Sequence, residues 1–166
     1  MKLSCQEQLL PGDSLEAKWE FATAAGFEGI ELRARGDGHF AARLPELRAA
    51  ARAGVVMATV CPETDHFIGD FDPDRRRDAV AQLRSQLSVI AELGGAGVLT
   101  PASWGMFSLR LPPFTPPRQP TEDRKVLLEA LGELAVGQKR WEFMLTVAPV
   151  PVTGGTGFPV NALATY

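Results

Sequence analysis

Apolar and polar positions along the chain change period several times, and each change falls at a glycine. Leu15, Trp19 and Ala22 recur at helical spacing and stop at Gly26, a residue suited to a left-handed helix cap. The run Gly26-Phe27-Glu28-Gly29-Ile30-Glu31-Leu32 then enters a short strand, Glu28 to Arg33, with one carboxylate inside its apolar pattern. The same order returns twice. Leu44, Leu47 and Ala51 mark a helix face closed by Gly54, ahead of an almost wholly apolar strand from Val55 to Val60 that reads as covered on both faces. Val80, Leu83, Leu87, Ile90 and Ala91 give the clearest helical stripe; Gly94 and Gly95 end it, and Gly97 to Thr100 reads as a strand. With Lys2 to Gln6 as the first strand, the order is βαβα, which predicts a parallel sheet with helices outside.

Capping signals sharpen these boundaries. Asp13 with Glu16 predicts a capping box, and Asp72 caps a helix whose first turn holds Pro73. Thr121 is the predicted cap of a fourth helix, with Glu122 and Asp123 near its positive end and Val126, Leu127, Ala130, Leu131 and Leu134 inside. Gly36-Asp37-Gly38 predicts a flexible loop with His39 solvated in it. Pro101 to Pro120 is dense in proline and reads as an extended connection, of a length often used to cover an active site. Beyond Glu142 no charged residue remains. Phe143 to Val147 is a possible fifth strand, and the Thr153 to Gly157 cluster fits no phosphate-loop template. The chain therefore divides into a domain over 1–135 and an atypical tail over 136–166.

Composition narrows the classes. At 166 residues the chain can bury one sizeable core, and a formal charge of −3 argues against a general nucleic-acid or membrane-surface binder. Arg75-Arg76-Arg77 sits among Asp72, Asp74 and Asp78 and reads as a solvated helix start. Cys5 and Cys61 offer no zinc spacing and no disulfide framework; they read as two reduced thiols that a small sheet could bring near one another. No apolar run reaches membrane-spanning length and the N-terminus lacks a signal-peptide core, so the expected location is cytoplasmic.

The Gly26 to Leu32 phrase, the run of βα units and Thr100-Pro101-Ala102-Ser103 at a strand end together resemble one family. It is the xylose-isomerase-like TIM barrels, the sugar-phosphate isomerase and epimerase superfamily related to endonuclease IV. The resemblance covers about residues 1–135. It implies an α/β fold, here a partial (β/α)8 TIM barrel of four to five parallel strands with outer helices and an irregular tail. It further implies proton transfer next to a sugar carbonyl, a small-molecule sugar as partner, and a divalent metal (Mn, Mg or Zn) held by carboxylates and a histidine of the later strands. Where the family has a Glu-Pro-Leu-Asn-Arg-like fifth strand, this sequence has Glu142-Phe143-Met144-Leu145, as though an unrelated or out-of-frame ending followed a genuine first half. A full barrel takes about 250 residues. The expectation is therefore an epimerase-like half-barrel, impaired or inactive and binding no metal itself, or alternatively a non-catalytic half-barrel stabilised as a homodimer. A repair nuclease of the endonuclease IV branch suits the acidic balance and two histidines less well.

Within that frame His66, beside Glu63 and Asp65 after the third strand, would face the active site, contacting substrate or orienting a metal ligand. Glu31 needs a partner in a strand: either a polar contact at the barrel mouth or an internal one such as Arg33. Gln6 at the end of the first strand, and Trp104 with Phe107 in the fourth loop, are candidate lining for a sugar pocket, although burial of the loop would explain Trp104 equally well.

Overall fold

The computed structural model describes residues 2–100, 118–135 and 146–147. Five strands, β1 (Ser4–Gln6), β2 (Gly29–Arg35), β3 (Met57–Glu63), β4 (Gly97–Thr100) and β5 (Thr146–Val147), pair in chain order, every neighbour parallel. Between them run α1 (Leu15–Ala24), α2 (His39–Ala42), α3 (Leu44–Arg52), α4 (Pro73–Glu92) and α5 (Pro120–Ala135). This is the consecutive order that the βα reading predicts.

The core lies between one sheet face and the helices. Ile30, Leu32 and Ala34 of β2 are fully buried, with Val60 and Val98 beside them and Leu47, Leu83 and Ile90 from the helices. The alternate residues Glu31, Arg33 and Arg35 point to the other face and are progressively exposed. β3 departs from the expected two-sided burial: Thr59, Cys61 and Pro62 are half-buried and Glu63 is exposed.

A β-bulge sets this pattern. Ile30 is opposite Met57 but Glu31 is opposite Thr59, so Ala58 is an extra residue. Before it, Met57 points into the core; after it, Thr59 turns to the inner face and Val60 takes the core position. One inserted residue changes the parity of the strand.

Several boundaries differ from the pattern. Ser14, rather than Asp13, caps α1: its Oγ accepts from Ala17 N at 3.2 Å, which leaves Glu16 one residue early for a capping box. The expected loop around Gly38 contains α2, because left-handed Asp37 (φ 54°) and Gly38 (φ 77°) turn the chain so that Phe40 drops into the core. His39 starts that helix, exposed. β2 and β3 run to Arg35 and Glu63, two and three residues past their apolar runs, since the ladder continues beyond the buried positions. α5 begins at Pro120, whose missing N–H is harmless in a first helical turn, so Thr121 is inside the helix. Asp72 caps α4 as expected, accepting from Asp74 N and Arg75 N.

Candidate active site

The sheet face away from the helices carries a transverse polar row, at the last residue of β1 and the third residues of β2 and β3. Gln6 is opposite Glu31, and Glu31 is opposite Thr59. Gln6 Nε2 donates to Glu31 Oε1 at 2.8 Å and Thr59 Oγ1 donates to Oε2 at 2.9 Å. Gln8 Nε2 in turn donates to Gln6 Oε1 at 2.7 Å, fixing the Gln6 amide. The half-buried carboxylate is thus held by two neutral donors. Arg33, the partner weighed from sequence, pairs instead with Glu63 two residues further up the face. Both members of that pair are close to half exposed.

Cys61 lies on the same face, opposite Arg33. Burial pushes its thiol pKa up, Glu31 and Glu63 add to this, and Arg33 opposes them. Cys5 is opposite Ile30, with β2 standing between the two cysteines, so they do not approach as a small sheet would allow; both are free thiols.

His66 does not group with Glu63 and Asp65. Its Nδ1 lies 2.7 Å from Asp78 Oδ2 on α4, and Gln82 Nε2 donates to the same oxygen at 2.7 Å. Gln82 also bonds Asp37 of the β2–α2 loop through both its amide atoms. This chain of side chains joins two loops at the strand ends. Gly36 makes room for it, since a Cβ there would sit 2.1 Å from Gln82 Oε1. Trp104 and Phe107 lie outside the described residues.

Two further anchors escaped the sequence reading. Arg43, between α2 and α3, grips buried Glu7 just after β1, Nη1 to Oε1 at 2.9 Å and Nη2 to Oε2 at 3.3 Å. Arg118 bonds Asp123 at 2.9 Å and the carbonyls of Gly69 and Asp70, and its guanidinium lies 4.7 Å from the Phe71 ring centroid. Neither has a spacing signal, because each bond spans distant or irregular segments. Of the Arg75–Arg77 run, Arg76 bonds the Asp70 and Phe71 carbonyls, while Arg75 and Arg77 are exposed as expected.

A divalent metal needs several convergent donors. Among the described residues no three His, Cys, Asp or Glu side chains converge in that way. Glu31 is held by Gln6 and Thr59, Glu63 by Arg33, and His66 by Asp78. The described residues do not fit a metal. Nor is any helix among them long and apolar enough to cross a membrane.

Comparison with known proteins agrees with this architecture. The chain is 36% identical over 136 residues to a 3-dehydro-D-guloside 4-epimerase of Escherichia coli K12, covering 81% of this chain and 50% of that protein. The crystal structure of a 3-keto-D-glucoside 4-epimerase from E. coli, in apo form, superposes with a TM-score of 0.67 at 35% identity, covering 81% of this chain and 50% of the other. The chain thus spans about half the length of the relatives it matches. The model of one family, described as xylose isomerase-like TIM barrel, matches residues 19–140. A parallel sheet in chain order, its helices on one face and its polar row on the other, therefore belongs to the xylose isomerase-like TIM barrel family.

Proposed function

We propose that this chain supplies the early strands of a sugar epimerase or isomerase site, working on a keto-sugar by proton transfer next to the carbonyl. The observation that carries this reading is the Gln6–Glu31–Thr59 row, a carboxylate fixed on the sheet face away from the helices, level with the end of β1. Glu31 takes the proton from the carbon beside the carbonyl; the C–H electron pair becomes the C=C bond of an enolate and the carbonyl π pair moves onto oxygen. A second acid on the opposite face of that carbon, outside the row, donates a proton there as the carbonyl re-forms, which gives the epimer. Gln6 and Thr59 hold the carboxylate in place, so its geometry is set before the sugar arrives. His66 turns its Nδ1 side to Asp78, and its Nε2, with no hydrogen bond among the described residues, is offered to a sugar hydroxyl at the rim that Glu63 shapes with Arg33. The two relatives' names point to a 3-keto-hexoside as the substrate class.

The test uses the protein that carries this chain. Incubation with a 3-keto-hexoside in D2O, followed by NMR, is expected to show deuterium at the carbon next to the carbonyl. Glu31→Gln should abolish that exchange with the circular dichroism unchanged. Equal exchange in the variant would remove Glu31 from the mechanism.

Self-association is a second proposal. Leu3 and Leu9 are 51% and 70% exposed beside β1, which pairs on one side only among the described residues. Light scattering that reports a monomer would end it. The two free thiols support a cytoplasmic location for the protein.

A further inference from the structure

The backbone N–H of Asp37, on the β2–α2 loop, donates to Gln82 Oε1 at 3.2 Å. A backbone N–H can only donate, so the Gln82 amide has one orientation. Turned over, it would set Nε2 against that N–H and Oε1 against two carboxylates. As it stands, Nε2 donates to Asp78 Oδ2 at 2.7 Å and to Asp37 Oδ1 at 3.3 Å. Asp78 Oδ2 is thus an acceptor, and it lies 2.7 Å from His66 Nδ1. An ionised carboxylate has no hydrogen to give, so the hydrogen between the two belongs to Nδ1. The neutral ring then carries a bare lone pair at Nε2.

The surrounding backbone holds this arrangement. Asp78 and Gln82 are one turn apart on α4 and meet the two loops from the same side. Gly36 N donates to Glu63 O at 2.9 Å, and Thr64 Oγ1 donates to His66 O at 3.1 Å, which ties the loops to each other and to the end of β3. The His66 and Asp78 side chains are 34% and 42% exposed, so the pair borders solvent rather than core. An acceptor in that place discriminates between oxygens. It takes a bond from a hydroxyl, which donates, and none from a carbonyl or ether oxygen, which only accepts.

We propose that Asp37, Gln82 and Asp78 are positioning residues that hold His66 as a reader of hydroxyl groups, so that a keto-sugar offers it a hydroxyl-bearing carbon and never the carbonyl. This rests on the reading of the inner row as a keto-sugar site, and it sets which way round the sugar enters: carbonyl side to Glu31, hydroxyl side to the β3–α4 loop.

The test is long-range proton–nitrogen NMR of the protein that carries this chain, isotope-labelled at histidine and kept at alkaline pH so that the imidazoles are neutral. His66→Gln identifies the signals. The proton is expected on Nδ1 of His66, whereas Asp78→Ala, at a part-exposed position, should give the tautomer mixture of exposed His39. Titration with a 3-keto-hexoside should move the Nε2 signal saturably, and Asp78→Ala should weaken binding roughly two- to tenfold, the worth of one hydrogen bond. A proton on Nε2 of the parent, or saturable binding that leaves Nε2 unmoved, overturns the proposal. Deuterium exchange separates it from the inner-row reading. Exchange that persists in Glu31→Gln while Nε2 still shifts sinks that reading alone; exchange lost in Glu31→Gln with Nε2 unmoved sinks this one alone. A 3-keto-hexoside that does not bind removes both.

Discussion

Deleting Ala58 removes the bulge and leaves Met57 opposite Ile30, Thr59 opposite Glu31 and Val60 opposite Leu32 in plain alternation, so the core and the inner row both keep their residues. The loss is confined to the bulge, chiefly the bond from Ala96 N to Ala58 O, about 0.5–1.5 kcal/mol. Exchanging Thr59 and Val60 instead reverses the facing at that point. It removes a fully buried valine, about 1.5–3 kcal/mol, and buries an unpaired hydroxyl, about 1–3 more, a total of about 3–6 against about 5–15 for a typical domain. The assay is urea unfolding followed by far-ultraviolet circular dichroism. A deletion variant as unstable as the exchanged one would refute the parity argument.

Other perturbations probe separate parts of the molecule. Glu31→Gln removes a charge that pushes the Cys61 thiol up, so iodoacetamide should label Cys61 faster at mildly alkaline pH, read by mass spectrometry against Cys5; an unchanged or slower rate counts against the shared face. Arg43→Ala strands buried Glu7 and should lower stability by about 2–4 kcal/mol in chemical denaturation, whereas Glu46→Ala, which trims only the exposed end of the network, should stay within about 0.5; equal losses would contradict the assignment. The Asp72 carboxyl is held below its ordinary range by the N–H groups of Asp74 and Arg75, so its contribution is present above the unfolded-state value and disappears as pH falls through the folded-state value. Asp72→Ala should therefore melt below the parent at neutral pH, with the gap closing in acid; a gap that widens in acid refutes the cap.

The sheet order was legible because each helix stripe ends at a glycine and each strand follows at once: Gly26, Gly54 and Gly94 are all left-handed, as helix-closing positions demand. Gln6 was legible as a strand-end polar residue and Glu31 as the one carboxylate inside an apolar strand. Their common partner, Thr59, was hidden because the apolar run Val55 to Val60 gives no sign that a bulge reverses its facing at Ala58. His66 stood out as a lone histidine in a strand-end loop, but its companion Asp78 is twelve residues away on a helix face that reads as solvated. Arg118 shows the limit most plainly. Its partners lie near residue 70 and at Asp123, and no local period encodes a contact made only when α5 docks against the β3–α4 loop.

Joining residues 1–135 of this chain to the second half of the E. coli 3-dehydro-D-guloside 4-epimerase gives the most direct measurement of what the inner row does. The chimera should epimerise a 3-keto-hexoside, and Glu31→Gln within it should cut turnover by about 10²–10⁴-fold at unchanged circular dichroism, as loss of a proton-transfer group does. A folded chimera that turns over equally well with and without the Glu31 carboxylate would contradict the account.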